Sequence, residues 1–104
     1  MQNIQSINLI AIDPTIRQGR PHIAGTTIEV SAIAIAKIVH GQSPEEITSD
    51  FKLTLAQVYA ALSYYYDHKV AVDASISAQR ELARQLKARA SSVLFDMKNH
   101  VDFL

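Results

Sequence analysis

The side chains best equipped for metal ligation or proton transfer are His22, His40, His68 and His100, and their spacing decides against both. None forms an i, i+4 pair, and no carboxylate stands at a spacing that would complete a metal site with them. Each is expected to be a surface residue. Glu45, Glu46 and Asp50 form the densest acidic cluster, with no basic residue between them. Helix capping and solvation account for them, because Mg²⁺ would need further acids on neighbouring elements. The chain also lacks a phosphate-cradling glycine loop and a nucleophile elbow, so no enzymatic activity, cofactor or metal is expected.

Two sets of residues could recognise a partner. Gln57 lies at the start of a predicted helix, where its amide could pair bidentately with adenine or complete a capping box. Lys52, His68 and Lys69 are the basic groups around that helix, and Arg17, Arg20 and His22 could form a further basic arm or a solvated turn. Gln57, Lys69, Arg17 and Arg20 are therefore the candidate DNA contacts. DNA affinity is mostly phosphate neutralisation, so few cations on one copy require a dimer or other arms. Tyr59, Tyr64, Tyr65 and Tyr66 could stack on bases, but helical spacing puts Tyr59 and Tyr66, and partly Tyr65, on a buried stripe; Tyr64 is expected to be exposed. The second set is C-terminal. Arg80, Arg84, Lys87 and Arg89 flank an apolar row that includes Leu82, Leu86, Val93 and Met97, suited either to packing on its own domain or to docking an acidic partner.

These residues are positioned by elements that can be read in order. Ile7 to Ile12 is a short apolar run stopped by Asp13-Pro14, which predicts a strand. The stretch Gly19 to Val30 holds one of the three prolines and two of the three glycines and reads as short strands joined by turns, one pairing with the first strand. So small a sheet is marginal in water and needs helices or a second copy to cover it. Ser31 is the predicted N-cap of a helix over Ala32–His40, expected to be the buried central helix and to stop at Gly41. Ser43-Pro44-Glu45-Glu46 is a complete capping box for a short helix ending near Asp50. Thr54-Leu55-Ala56-Gln57 repeats the device for a helix from about Leu55 to His68, with a stripe of Leu55, Val58, Tyr59, Leu62, Tyr65 and Tyr66. Lys69 to Val72 is expected to be a break, with Asp73 capping a last helix from about Ala74 to Lys98.

The result is a mainly α chain: a short N-terminal β arm of two or three short strands, a three-helix, helix-turn-helix-like core and a long C-terminal helix. Residues 1–72 hold the arm and core, and residues 73–104 the last helix and tail of the same single domain. Ten Lys+Arg balance ten Asp+Glu, so no global field favours nucleic acid or a membrane surface. No apolar run approaches the length of a bilayer span, and Met1-Gln2-Asn3-Ile4 lacks the basic start and apolar stretch of a signal peptide. With no cysteine, disulfides and thiolate sites are excluded, and the cytoplasm is the expected location.

The joint pattern Gly19-Arg20-Pro21-His22-Ile23-Ala24-Gly25-Thr26, Ile28, Val30, then Gly41-Gln42-Ser43-Pro44-Glu45-Glu46-Ile47, Leu53-Thr54-Leu55 and Val58 to Tyr66 resembles the bacterial domain of unknown function 433 family, over roughly Ile7 to Val72. Thr27 stands where members usually carry Arg, and Glu29 where Pro is common. The resemblance implies a homeodomain-like helix-turn-helix module and an antitoxin that binds a PIN-like nuclease toxin and its own operator. The chain is accordingly expected to neutralise a toxin protein partner through Arg80, Arg84, Leu86, Lys87, Val93 and Met97, or alternatively to bind DNA as a regulator. A homodimer is expected in either case.

Overall fold

A computed structural model of the chain describes Gln2, Asn3 and residues 8–101, with side chains as far as Met97. The expected strand start at Ile7, and the side chains of Lys98 and His100, lie outside the described residues. The chain divides into two units, Met1–Val72 and Asp73–Leu104.

The first unit starts with β1 (Ile10–Ala11), antiparallel to β2 (His22–Ile23) in the register Ile10↔Ile23 and Ala11↔His22. Beyond β2 the chain turns at Gly25, whose φ of 80° suits a residue without a Cβ, and returns so that His22 also bridges Glu29. Thr26 holds this turn: its hydroxyl donates to Ile23 O at 2.9 Å and accepts from Ile28 N–H at 3.0 Å. With β1 on one side and the return strand on the other, His22 is 2% exposed, its Nδ1 lying 3.4 Å from Arg20 O. This corrects the expectation of a surface histidine. The central position of a three-segment arm is covered on both edges, which an isolated His in the sequence does not reveal.

Helix α1 spans Val30–Ile38 and buries Val30, Ile33, Ala34 and Ala36. Its N-cap is Glu29, without a side-chain cap bond, rather than Ser31. The hairpin return fixes the start two residues early, since Val30 N–H donates to Pro21 O while Val30 is already helical. Helix α2 (Pro44–Phe51) has the expected reciprocal capping box between Ser43 and Glu46, and buries Ile47 completely. It stops at Lys52, which takes left-handed φ 57° and ψ 47°. Helix α3 (Leu55–Asp67) has the second capping box, between Thr54 and Gln57.

The centre of the unit is α3, not α1. It packs against α1, α2 and both strands, whereas α1 leaves Ile38 and Val39 more than half exposed. The buried face of α3 is Val58, Ala61, Leu62 and Tyr65, the i, i+3, i+4, i+7 set. Leu55, Tyr59 and Tyr66 from the expected stripe are exposed, and Tyr64 is only half-exposed. The face is centred between Val58 and Tyr65. At 100° per residue Tyr59 and Tyr66 then fall about 90–110° off that centre.

Helix α4 runs over Lys69–Val101, so the expected break at Lys69–Val72 and the Asp73 cap are both corrected. The interruption is the single residue His68 (φ −125°, ψ 35°), whose ring stacks on Tyr64 at 4.0 Å and whose Nδ1 lies 3.1 Å from Tyr64 O. Its own carbonyl accepts from Val72 N–H, opening α4, and Val72 is buried in the first unit. Asp73 therefore continues a helix already begun. No helix among the described residues is long and apolar enough to cross a membrane.

The α2 ends make a paired test by urea unfolding. Ser43→Ala removes the acceptor for Glu46 N–H and should destabilise by about 1 kcal/mol. Lys52→Gly relieves left-handed strain at an exposed residue and should stabilise, by up to about 1 kcal/mol.

Candidate functional site

Three groups of side chains are placed for recognition, and the first is the arm. Arg17, Gln18 and Gly19 form a turn with φ of 49°, 57° and 79° in succession. For the two residues that carry a Cβ this conformation costs roughly 1–2 kcal/mol each. Side chains from the same segment offset it: Arg17 Nε donates to Thr27 O at 2.9 Å, and Gln18 Oε1 accepts from Arg20 Nη1 at 3.0 Å. Arg20 also meets Glu29 with both prongs, Nε to Oε1 at 2.5 Å and Nη2 to Oε2 at 3.4 Å. The pair is mostly covered, at 27% and 13% side-chain exposure. It clamps the entry of the arm to the residue that caps α1. These residues are not paired in the sequence analysis; the signal for the pair is two opposite charges on either side of the Gly25 turn. Asp13 begins the same loop, and its carboxyl is held below the ordinary carboxylate range by hydrogen bonds from the Thr15 hydroxyl and N–H.

The second group is the outer face of α3. Ala56, Tyr59, Ala60, Ser63, Tyr64 and Asp67 line a shallow groove of about 500 Å³ closed on one side by Asn8 and Ile10. Of the candidate DNA contacts, Gln57 is not in this lining; its Oε1 accepts from Thr54 N–H at 2.8 Å and Thr54 Oγ1 at 3.2 Å. Lys69 lies with its ammonium 5.7 Å from the Tyr65 ring centre, on α4. Arg17 and Arg20 are on the arm, so the four candidates are spread over three elements and do not converge on one helix face. Among the described residues no group of three or more His, Asp or Glu could hold a metal ion.

The third group lies in the second unit. Leu82, Leu86, Val93, Leu94, Phe95 and Met97 are all more than half exposed, so the apolar row of α4 is open. Arg84 is tied to Glu81 on its own helix, with Nη2–Oε1 at 2.6 Å and Nε–Oε2 at 3.0 Å. Its guanidinium holds the Glu81 carboxyl below the ordinary range, and the carboxylate in turn raises the Arg84 pKa. Arg80, Lys87 and Arg89 form no ion pair with the described residues.

A family model described as "Protein of unknown function (DUF433)" matches residues 10–65, more than half of the chain. The chain belongs to the DUF433 family. Its matched region begins at β1 and ends at Tyr65 on the buried face of α3, so it holds the arm and the α1–α3 core. The crystal structure of a DUF433 member protein from Anabaena variabilis is similar, with 28% sequence identity and a TM-score of 0.60, covering 67% of this chain and 69% of that one. No curated protein matches the sequence. What the DUF433 region shares is thus the arm and core; the exposed row and free cations of α4 lie beyond it.

Two outcomes follow from these contacts. A double-mutant cycle with Arg20→Met and Glu29→Gln should give a coupling of roughly 0.5–3 kcal/mol by thermal or urea unfolding, and its absence would remove the clamp. The lowered Glu81 pKa makes its support of the helix fully present above the ordinary carboxylate value and lost as pH falls through the lowered one. Helical ellipticity of the chain should accordingly fall in that acid window, and the part due to this pair should vanish in Glu81→Gln.

Proposed function

We propose that the chain is an antitoxin-like protein-interaction module that binds and neutralises a PIN-like nuclease toxin. The observation that carries this reading is the open apolar row of α4, with Leu86 and Val93 each 51% and Met97 58% exposed. An exposed row of this extent favours a partner, since it leaves large side chains in water at a loss of about 25 cal/mol per Å². Arg80, Lys87 and Arg89 beside it suit a partner whose surface is acidic, as the active-site rim of a metal-dependent nuclease is. We place the site at Arg80, Arg84, Leu86, Lys87, Val93 and Met97, with Arg84 already engaged by Glu81 and acting through its stem. The homodimer remains part of this proposal, formed on the first unit, where Ile12, Ile38 and Val39 are exposed.

The second reading, a helix-turn-helix regulator that reads DNA through α3, rests on the exposed start of that helix at Leu55, Ala56 and Tyr59. Against it, Gln57 is engaged by Thr54 and Arg20 by Glu29, which leaves few cations for phosphate neutralisation.

A tagged full chain, recovered from its native cells with its bound material, separates the two. We expect a stoichiometric protein partner that is lost with Leu86→Asp, a change worth at least about 2 kcal/mol at a central apolar anchor. Gln57→Glu with Lys69→Ala keeps an acceptor for the Thr54 cap while removing adenine pairing and one cation, and it should leave that partner bound. Recovery of DNA that is lost with this second variant and retained by Leu86→Asp would overturn the antitoxin reading.

A further inference from the structure

The open face of α4 has a stricter order than amphipathicity alone requires. From Ile76 onward the positions Ile76, Gln79, Ala83, Leu86, Ala90, Val93 and Met97 alternate in steps of three and four, the a/d repeat of a coiled-coil seam. All lie on one helix, and from Ala83 to Met97 all are exposed. The seam is about 33 Å long at 1.5 Å per residue. Gln79 is its polar member, and one N–H of its amide is already satisfied, Nε2 donating to Ser75 Oγ at 3.0 Å. Ala83 and Ala90 narrow the seam and let a partner backbone come close. A straight, narrow apolar line of this kind is matched by another helix rather than by a rounded cleft.

The charges beside the seam select which helix. In the heptad frame Arg80, Lys87 and Arg89 fall on the flanking e and g positions, with Asp96 the one acid among those flanks between Ile76 and Met97. The Arg84–Glu81 pair falls on the outer b and f positions, where the two charges neutralise each other and Arg84 offers only its stem at the margin of the site. A second copy of this tail does not complement these flanks. Side by side and parallel, it sets Leu82 against Lys87 and Arg89 against Leu94, with no ion pair. Antiparallel overlap sets Arg80 beside Lys87, or Lys87 and Arg89 beside their own counterparts, all like-charged; only a shift toward the C-terminus brings Arg89 beside Asp96, and it leaves Arg80 and Lys87 without a carboxylate.

Resting on the reading of the tail as the partner-binding segment, we infer that α4 pairs as a coiled coil with an acidic amphipathic helix of the partner protein, its Arg80, Lys87 and Arg89 facing carboxylates across the seam. The occupant is thereby a helix with an aliphatic a/d row and Glu or Asp on its flanks.

The test titrates the full chain against a labelled synthetic helix of about three heptads, with Leu and Ile on its seam and Glu at e and g, followed by fluorescence anisotropy. The control helix has Lys in place of every Glu. The Glu helix should bind at least about tenfold more tightly than the Lys helix at low salt, and the difference should shrink as ionic strength rises. Leu86→Asp should abolish binding, while Arg80→Glu with Lys87→Glu should reverse the preference. Both sites are exposed, so thermal unfolding of each variant should match that of the unaltered chain. Equal binding of the two helices, or no binding of the Glu helix, overturns the inference. So does a dimer of the full chain, measured by sedimentation, that Leu86→Asp dissociates and the Glu helix does not. A captured partner that depends on Leu86 but is not displaced by the Glu helix overturns this inference alone. If no Leu86-dependent partner exists, the antitoxin reading itself fails.

Discussion

The first unit depends on one buried face, that of Val58, Ala61, Leu62 and Tyr65 on α3. Helices α1 and α2 and both strands each touch α3, so the face is the surface on which their separate apolar residues become one core. Ile23, Ile33 and Ile47, from three different elements, are fully buried around it. None of those elements could bury its isoleucine alone, because a two-residue strand pair and a short helix have no independent stability. Removing an isoleucine there would forfeit both transfer free energy and packing, typically about 2–5 kcal/mol on truncation to alanine. That is a large share of what a unit of this size has.

Around that core, local devices decide where each element begins and ends. The capping boxes at Ser43 and Thr54 satisfy backbone donors that α2 and α3 would otherwise expose, and they set the start of both helices within a residue. The arm uses a different device. Its left-handed Arg17–Gly19 turn is strained, and the Arg17 bond to Thr27 O and the Arg20–Glu29 pair hold it closed. Glu29 thereby joins three tasks at one position: it ends the hairpin, accepts the arginine and precedes the positive end of α1. An arginine so engaged is a structural element of the arm before it is anything else.

The second unit is organised on the opposite principle. Its helix is long, its polar face supports itself through pairs such as Glu81–Arg84, and its apolar row is left open. A helix with that distribution is complete as secondary structure and incomplete as tertiary structure. The free cations beside the row give it a sign, and the proposal that it meets an acidic helical partner follows from that combination. The DUF433 core, by contrast, has its polar groups largely committed to caps, turns and the arm clamp. The proposed recognition by the tail and the architecture of the core are a consistent division of the chain.

The sequence by itself determined what rests on local rules. Both capping boxes, the short-stranded β arm, the mainly helical character and the long last helix are all written in short-range patterns, because each depends on residues within a few positions. Four things it could not decide. The start of α1 at Val30 depends on Pro21 O across the hairpin, the burial of His22 on strands from both sides, and the Arg20–Glu29 clamp on the register of the turn. The central place of α3, with Tyr59 and Tyr66 outside its core face, depends on which side of it α1, α2 and the strands cover. Each is a contact between residues distant in sequence, and the chain's own periodicity carries no record of which neighbour arrives there.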